Sequence, residues 1–296
     1  MNLRKFLMIL TIALVIILAI VVWFSPSDED FRTENPFWNG IKDIRSSYPV
    51  SPLESLSGLP PSPEGSTLIL IPYLRLNPAE LEMVNYFVSG GGTLILADDY
   101  GYGNHLLTYL GLKARFSGQP LLDPLANYKN QWFPRISHFK DSSLTNNVDS
   151  LVFNHATCLN DVEAADILAR SSSFSFLDVN GNGTHDETEP TGPLPVISRH
   201  TLGNGQVVLV SDPSLFINSM KTTANNDSLM RNIAATAPSS LFIDQSHLPP
   251  SNLSQTKNKL NYIYYSFLAT RPGIFGLVIV ALTITLMPLW RERRRH

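Results

Sequence analysis

Two stretches of the chain show no alternation of apolar and polar positions. Phe6–Phe24, "FLMILTIALVIILAIVVWF", runs nineteen residues without a charge. As a helix it spans about 28 Å, close to the hydrocarbon thickness of a bilayer. Gly273–Trp290, "GIFGLVIVALTITLMPLW", is a second uncharged run, of eighteen. Between them the pattern turns periodic. Thr67–Ile71 is a continuous β-branched and leucine run, which predicts a strand buried on both faces. "LNPAELEMVNYFVSGGG" follows, with Asn77 as N-cap, Pro78 at the first helical position, Glu80 in the first turn and a glycine stop at Gly90–Gly92. Leu81, Val84, Phe87 and Val88 recur at three and four, so one stripe of this helix faces a core. "TLILADD" predicts a second buried strand. Strand, helix and strand in such short compass make a right-handed βαβ unit.

Downstream, "NHLLTYLGL" predicts a short helix starting near Asn104, and Lys113–Ser150 is irregular. "VDSLVFNHATCL" and "ADILARSSSFSFLD" read as further strands. "PLPVISRHTLGNGQVVLVSDP" reads as a hairpin, Val196–His200 and Gln206–Val210 about a turn at Gly203-Asn204-Gly205. "SLFINSMKTTANNDSLMRNIAATA" is partly helical, and "SSLFIDQSH" supplies a last strand. The expected fold class is α/β, an open and mostly parallel sheet flanked by N- and C-terminal transmembrane helices.

Charge orients the chain. Arg4 and Lys5 precede the first apolar run, and "RERRRH" follows the second. The positive-inside bias then places both termini in the cytoplasm and the body outside. The first run lacks a small-x-small cleavage site, which favours an uncleaved anchor over a signal peptide. The expected organisation is a cytoplasmic tail (1–5), a span (6–24), a stalk docking through Phe37 and Trp38 (25–66), the α/β domain (67–248), a linker (249–272), a second span (273–290) and a basic cytoplasmic tail (291–296). The chain of 296 residues has net charge −3. Without the basic ends the body carries about −8, which argues against nucleic acid as a partner. One cysteine, Cys158, excludes an intrachain disulfide. N-x-S/T sequons begin at Asn182, Asn226 and Asn252.

"LNPAELEMVNYFVSGGGTLILADDYGYGN", then "GPLPV" and "GNGQVVLVSDPSLFINSM", resemble an uncharacterised family of membrane-anchored archaeal and bacterial proteins. Their exported domain is similar to class I glutamine amidotransferases. The likeness covers roughly 35–245. It implies a flavodoxin-like sheet, no established reaction, and a partner in envelope assembly, since relatives are encoded near MoxR-type ATPases. The amidotransferase activity does not carry over. It requires a cysteine on a tight strand-to-helix turn, and here that turn reads Asp98-Asp99-Tyr100-Gly101. Cys158, in "NHATCLN", has no glycine elbow and reads as a small core residue.

Two places hold candidate chemistry. In open α/β sheets ligands bind beyond the carboxyl ends of the strands. Asp98, Asp99 and Asn104 follow one strand, Ser211, Asp212 and Asn218 another, and His247 the last. Side by side, such groups form an acidic crevice able to bind a ligand or supply an acid and base to an envelope glycan hydrolase or transferase. Alternatively they cap helices and turns, which Asp and Asn do at strand ends. A crevice filled by Tyr100, Tyr102 or Phe216 favours a scaffold. The second place is "DVNGNGTHDETE". Asp178, Asn180 and Asn182 stand at places one, three and five of a calcium loop, Gly183 at six, Thr184 at seven, Asp186 at nine and Glu189 at twelve. Its surroundings depart from an EF-hand, since His185 takes a place usually apolar and Pro190 blocks an exit helix. The alternatives are an EF-hand-like Ca²⁺ site between strands and a polar loop stiffened by Asn and Gly. The expected function is a non-catalytic, extracytoplasmic binding or scaffolding domain with a structural calcium ion.

Overall fold

A computed structural model describes residues 3–276, 278–279 and 282–283. The chain forms two compact units, one of residues 1–27 with 250–296 and one of 28–249. Helices, in chain order, are α1 (Leu3–Phe24), α2 (Lys42–Ser47), α3 (Pro78–Ser89), α4 (Asn104–Tyr109), α5 (Asn218–Lys221), α6 (Asn226–Ala235) and α7 (Asn252–Ile263). The principal sheet has β1 (Val50–Leu53), β2 (Ser66–Leu70), β3 (Thr93–Ala97), β4 (His138–Phe139), β5 (Ile167–Arg170), β6 (Pro195–Leu202), β7 (Gly205–Val210) and β8 (Ser240–Asp244).

In the smaller unit, α1 is apolar from Phe6 onward and buries none of its residues. An apolar helix of 22 residues that buries nothing is no core helix; its length and composition suit a membrane span or a signal sequence. Among the described residues it is the one helix long and apolar enough to cross a membrane. Trp23 meets Tyr264 edge-on at 5.6 Å between ring centroids. The expected second span, 273–290, lies for the most part outside the described residues, as does the basic tail 291–296.

The larger unit is built on an eight-stranded sheet of order β1-β8-β2-β3-β7-β6-β5-β4. The first five strands in that order run parallel. The remaining three join antiparallel, beginning with the β6–β7 hairpin. Alternate residues of the central strands enter opposite cores: Leu94 and Leu96 join Val84, Phe87, Val88 and Leu106 on one face. Ile95 and Ala97 join Leu229, Met230 and Ile233 on the other. Burial on both faces is why the strands read as continuous apolar runs. Each fully buried leucine contributes about 1.5–3 kcal/mol of transfer free energy. The βαβ unit forms as its sequence dictates. Asn77 Oδ1 accepts from the Ala79 and Glu80 amides, and Glu80 Oε2 accepts from the Asn77 amide at 2.8 Å, a complete capping box. In the hairpin turn, Gly203 has φ +58°, and a Cβ there would meet Ser89 backbone at 2.8 Å. That position therefore admits only glycine.

One expected boundary moves. Most of the segment expected as a stalk, 25–66, is integral to the sheet domain, which begins at Asp28. β1 pairs with β8, and Phe31, Ile41 and Ile44 are buried in its core. The expected docking residues Phe37 and Trp38 are instead exposed, at 47% and 68%. The apolar residues doing the docking are spaced singly among polar ones, so the aromatic pair drew the reading to the wrong place.

Candidate functional site

β3 and β7 are parallel and in register, Ala97 opposite Val210, so the residues after them emerge side by side at one sheet edge. The Asp98 amide donates to the Val210 carbonyl at 3.1 Å, carrying the pairing one residue further. Asp98 is buried and accepts from three amides, those of Tyr100 (2.9 Å), Gly101 (3.1 Å) and Gly103 (2.7 Å). Burial pushes its carboxyl up, against those three bonds. Asp212 is wholly buried and accepts from Asn154 (2.7 Å) and Ser214 (2.8 Å) amides. Burial holds its carboxyl well above the usual range, with Asp99 adding to the effect. Asp99 differs: its Oδ1 is buried without a hydrogen-bond partner among the described residues, and burial, then the Asp98 charge, raise its carboxyl to about 7. The Ser211 hydroxyl is likewise buried and has no partner among the described residues.

The crevice over these acids is closed. Tyr73, Tyr102 and Pro213 sit against Asp98 and Asp99 and leave no room for a water. Tyr73 contacts Tyr100 and Tyr102 at 6.0 and 6.1 Å, and those two stack at 5.4 Å. Cys158 is buried, and desolvation lifts its thiol to about 12, as befits a core residue.

The other expected site residues go elsewhere. Asn104 spends both ends of its amide on the backbone of Phe116, at 2.9 Å each way. Asn218 accepts from the Asp43 amide at 3.0 Å and donates to the Asn35 and Phe37 carbonyls, so it fastens the segment before β1 and takes no part in the crevice. His247 follows β8, which β2 separates from β3. Its Nδ1 lies 2.9 Å from Asp244 Oδ2 and its Nε2 3.3 Å from Glu80 Oε2. Burial lowers the basicity of this imidazole, but the bonds and charges of Asp244 and Glu80 outweigh it, and the net shift is upward.

Beside the closed crevice lies an open groove of about 1030 Å³ that the sequence reading missed. Its walls are Tyr73, Arg75 and Leu76 after β2, Pro78 and Leu81 of α3, and Gly101, Tyr102, Asn104, His105, Thr108 and Tyr109 around α4. The supposed ligands of the sheet edge are its supports. Asp98 fixes the Tyr100–Gly103 turn, Asn104 fixes α4, and His247 fixes Glu80 at the start of α3. The available signal was aromatic and basic residues just past two strand ends, in "PYLRLN" and "YGYGNHLLTY".

The loop at 178–189 is closed on itself. Phe176–Leu177 pairs antiparallel with Leu121–Leu122, so a strand, not a helix, leads in. Asp178 is 1% exposed and accepts from the Asn182 and Gly183 amides at 3.0 and 2.9 Å. Asn180 and Asn182 both donate Nδ2 to Asp186 Oδ2, at 2.5 and 2.9 Å, so places three, five and nine converge on one point. Glu189 is 7% exposed and folds back to accept from Val179 (2.7 Å) and Asp186 (3.1 Å) amides. Gly183 takes φ +76°, which gives the sharp turn of the sixth place, and Gln131 pins its carbonyl at 2.9 Å. His185 meets Phe176 edge-on at 5.4 Å and so fills its apolar place with a ring. In this arrangement two amide NH₂ groups face Asp186, while Asn180 Oδ1 accepts from the Asn182 amide at 3.0 Å and Asn182 Oδ1 from the Thr184 amide at 2.8 Å, bonds that an ion would have to replace. Among the described residues no three His, Cys, Asp or Glu side chains cluster as a metal site, so an ion here would need the amides and the Thr184 carbonyl as ligands. Of the sequons, Asn226 is excluded, being buried with both amide ends bonded to Val152.

No curated protein matches the chain in sequence. Among solved structures, it is similar to the mmIFT52 N-terminal domain at 15% identity, covering 64% of this chain and 84% of that one, with a TM-score of 0.46. A beta-galactosidase from Bacillus circulans sp. alkalophilus matches at 18% identity over 56% of this chain and 22% of its own length, TM-score 0.36. A cytoplasmic protein from Salmonella typhimurium LT2 matches at 11% identity over 67% and 79%, TM-score 0.37. Likenesses this distant bear on neither ligand nor reaction. The family assignment rests on the sequence itself: residues 41–234 match a single family model, and the chain belongs to the family described as Domain of unknown function (DUF4350).

Proposed function

We propose that this protein is a membrane-anchored, extracytoplasmic, non-catalytic binding or scaffolding domain of a prokaryotic envelope complex, with a calcium ion in the 178–189 loop. One observation carries the binding reading: the sheet edge supports an open groove of about 1030 Å³ while the acids beside it are spent on backbone amides or covered. The calcium assignment is supported by the oxygen-bearing side chains at ligand spacing and by the positive φ of Gly183. An exterior location suits it, because sites there bind at about 10⁻⁴ to 10⁻³ M. The apolar run of α1, with Arg4 and Lys5 in its first turn, supports an anchor with the body outside. A finer likeness to the glutamine amidotransferase sheet, and a MoxR-type ATPase as partner, extend this reading from the family resemblance. The test is topological. Protease added to right-side-out vesicles should digest the body and spare the N-terminal tail; a protected body would overturn the exterior location.

One observation favours the alternative of a glycan hydrolase or transferase: Asp99 is lifted to about 7 and has an unpartnered oxygen. A carboxyl poised there suits acid–base work, but the cleft it shares with Tyr73 and Tyr102 holds no space for a substrate.

A further inference from the structure

The open groove has a chemical character of its own. Tyr109 is 47% exposed, and Tyr102, stacked on Tyr100 through one face, is 50% exposed. Tyr73 lines the floor, and burial, then the Asp99 charge, raise its hydroxyl, which therefore stays protonated as a donor. His105 Nδ1 lies 2.8 Å from the Tyr102 carbonyl and must donate to it, which leaves Nε2 as an acceptor. That Nε2 is buried and has no partner among the described residues. Arg75 lines the same groove and makes no ion pair among the described residues.

This set selects for a ligand with apolar faces, hydroxyl donors and one isolated negative charge per unit. A pyranose packs its C–H face on an aromatic ring, its hydroxyls satisfy an imidazole acceptor and phenol donors, and a ring carboxylate pairs with a guanidinium in bidentate fashion. Phosphate chains fit poorly, since they offer no apolar C–H face to the rings of Tyr102 and Tyr109. We infer that the groove binds an acidic saccharide, a chain of pyranose units bearing carboxylates, with Tyr109 and Tyr102 as stacking platforms and Arg75 as the carboxylate partner. The inference rests on the binding reading above and names its ligand class.

The test uses the full chain in detergent micelles at fixed millimolar calcium, titrated calorimetrically with tetragalacturonate and, separately, with neutral maltotetraose. Tetragalacturonate should bind. Arg75→Met should weaken it about tenfold or more and leave any maltotetraose binding unchanged. Tyr109→Ala should weaken tetragalacturonate binding, and both variants should melt like the wild type because both side chains are at the surface. Absence of tetragalacturonate binding, or two variants that bind it like the wild type, would overturn the inference. Chromatography of the titrated sample separates the two claims: intact saccharide supports both, whereas bound and cleaved saccharide keeps the groove and sinks the non-catalytic reading.

Discussion

The strand-end acids and the 178–189 loop have similar compositions and share one fate only in part. At the sheet edge, Asp98 and Asp212 turn inward and hold amides of the following turns, while aromatic rings cover Asp99. In the loop, Asn180, Asn182 and Asp186 turn toward one another from a single short segment. The difference lies in what the backbone leaves unsatisfied. A strand that stops at a helix or tight turn leaves orphan amides, and the nearest carboxylate satisfies them. The loop spends Asp178 and Glu189 on its own amides in the same way, and leaves Asp186 to the side-chain amides of Asn180 and Asn182.

The largest expected effect sharpens the structural half of that contrast. Asp98→Ala leaves three amides without acceptors and should cost about 2–4 kcal/mol in urea melts, with or without calcium. Loss of groove binding should accompany it, because the Tyr100–Gly103 turn would loosen.

Asp99→Asn should act in the other direction. The native carboxyl is raised to about 7 from 3.8, so the folded state holds a proton that the unfolded state has released. Stability is then highest below about pH 3.8 and falls as pH rises toward 7. Removing the charge should stabilise the protein at pH 8 by about 2 kcal/mol, after discounting for partial exposure, and by almost nothing at pH 4. An unchanged pH profile would mean that Asp99 is better solvated than its surroundings indicate.

A somewhat smaller effect belongs to the loop. Calcium at ten times its dissociation constant should stabilise the native state by about 1.4 kcal/mol. Glu189→Gln keeps the side chain's size and removes its negative charge, so it should erase most of the difference in melting temperature between calcium and chelator. Magnesium should substitute poorly, because it demands a tighter octahedral shell.

The smallest is His247→Gln. The net upward shift of this imidazole means that its stabilisation is complete below about pH 6.5 and fades as pH rises through the raised native value. The variant should lose about 1 kcal/mol at pH 6 and less at pH 9, measured by chemical denaturation.

Much of the fold was legible because its central strands and α3 carry unambiguous signals. Continuous apolar runs marked β2, β3 and β7, and Asn77, Pro78 and Glu80 marked the start of α3. The region before β2 was misread because Phe31, Ile41 and Ile44 are isolated apolar residues whose burial depends on tertiary packing alone. At the sheet edge, composition placed Asp98 and Asp212 correctly but not their orientation, since a capping carboxylate and a liganding one look alike in sequence. Asn104, Asn218 and His247 were grouped with them by position after a strand, yet each reaches a different neighbour. The groove escaped notice because Arg75 and Tyr109 lie 34 positions apart and meet only across two strand-to-helix turns.

Calorimetric titration of the full chain with calcium, run in parallel on wild type, Glu189→Gln and Asp99→Asn, tests the contrast most directly. One ion per wild-type chain is expected, with binding strongly weakened in Glu189→Gln and unchanged in Asp99→Asn. Binding lost in Asp99→Asn but kept in Glu189→Gln would move the ion to the sheet edge, and no binding in any of the three would leave "DVNGNGTHDETE" a polar loop.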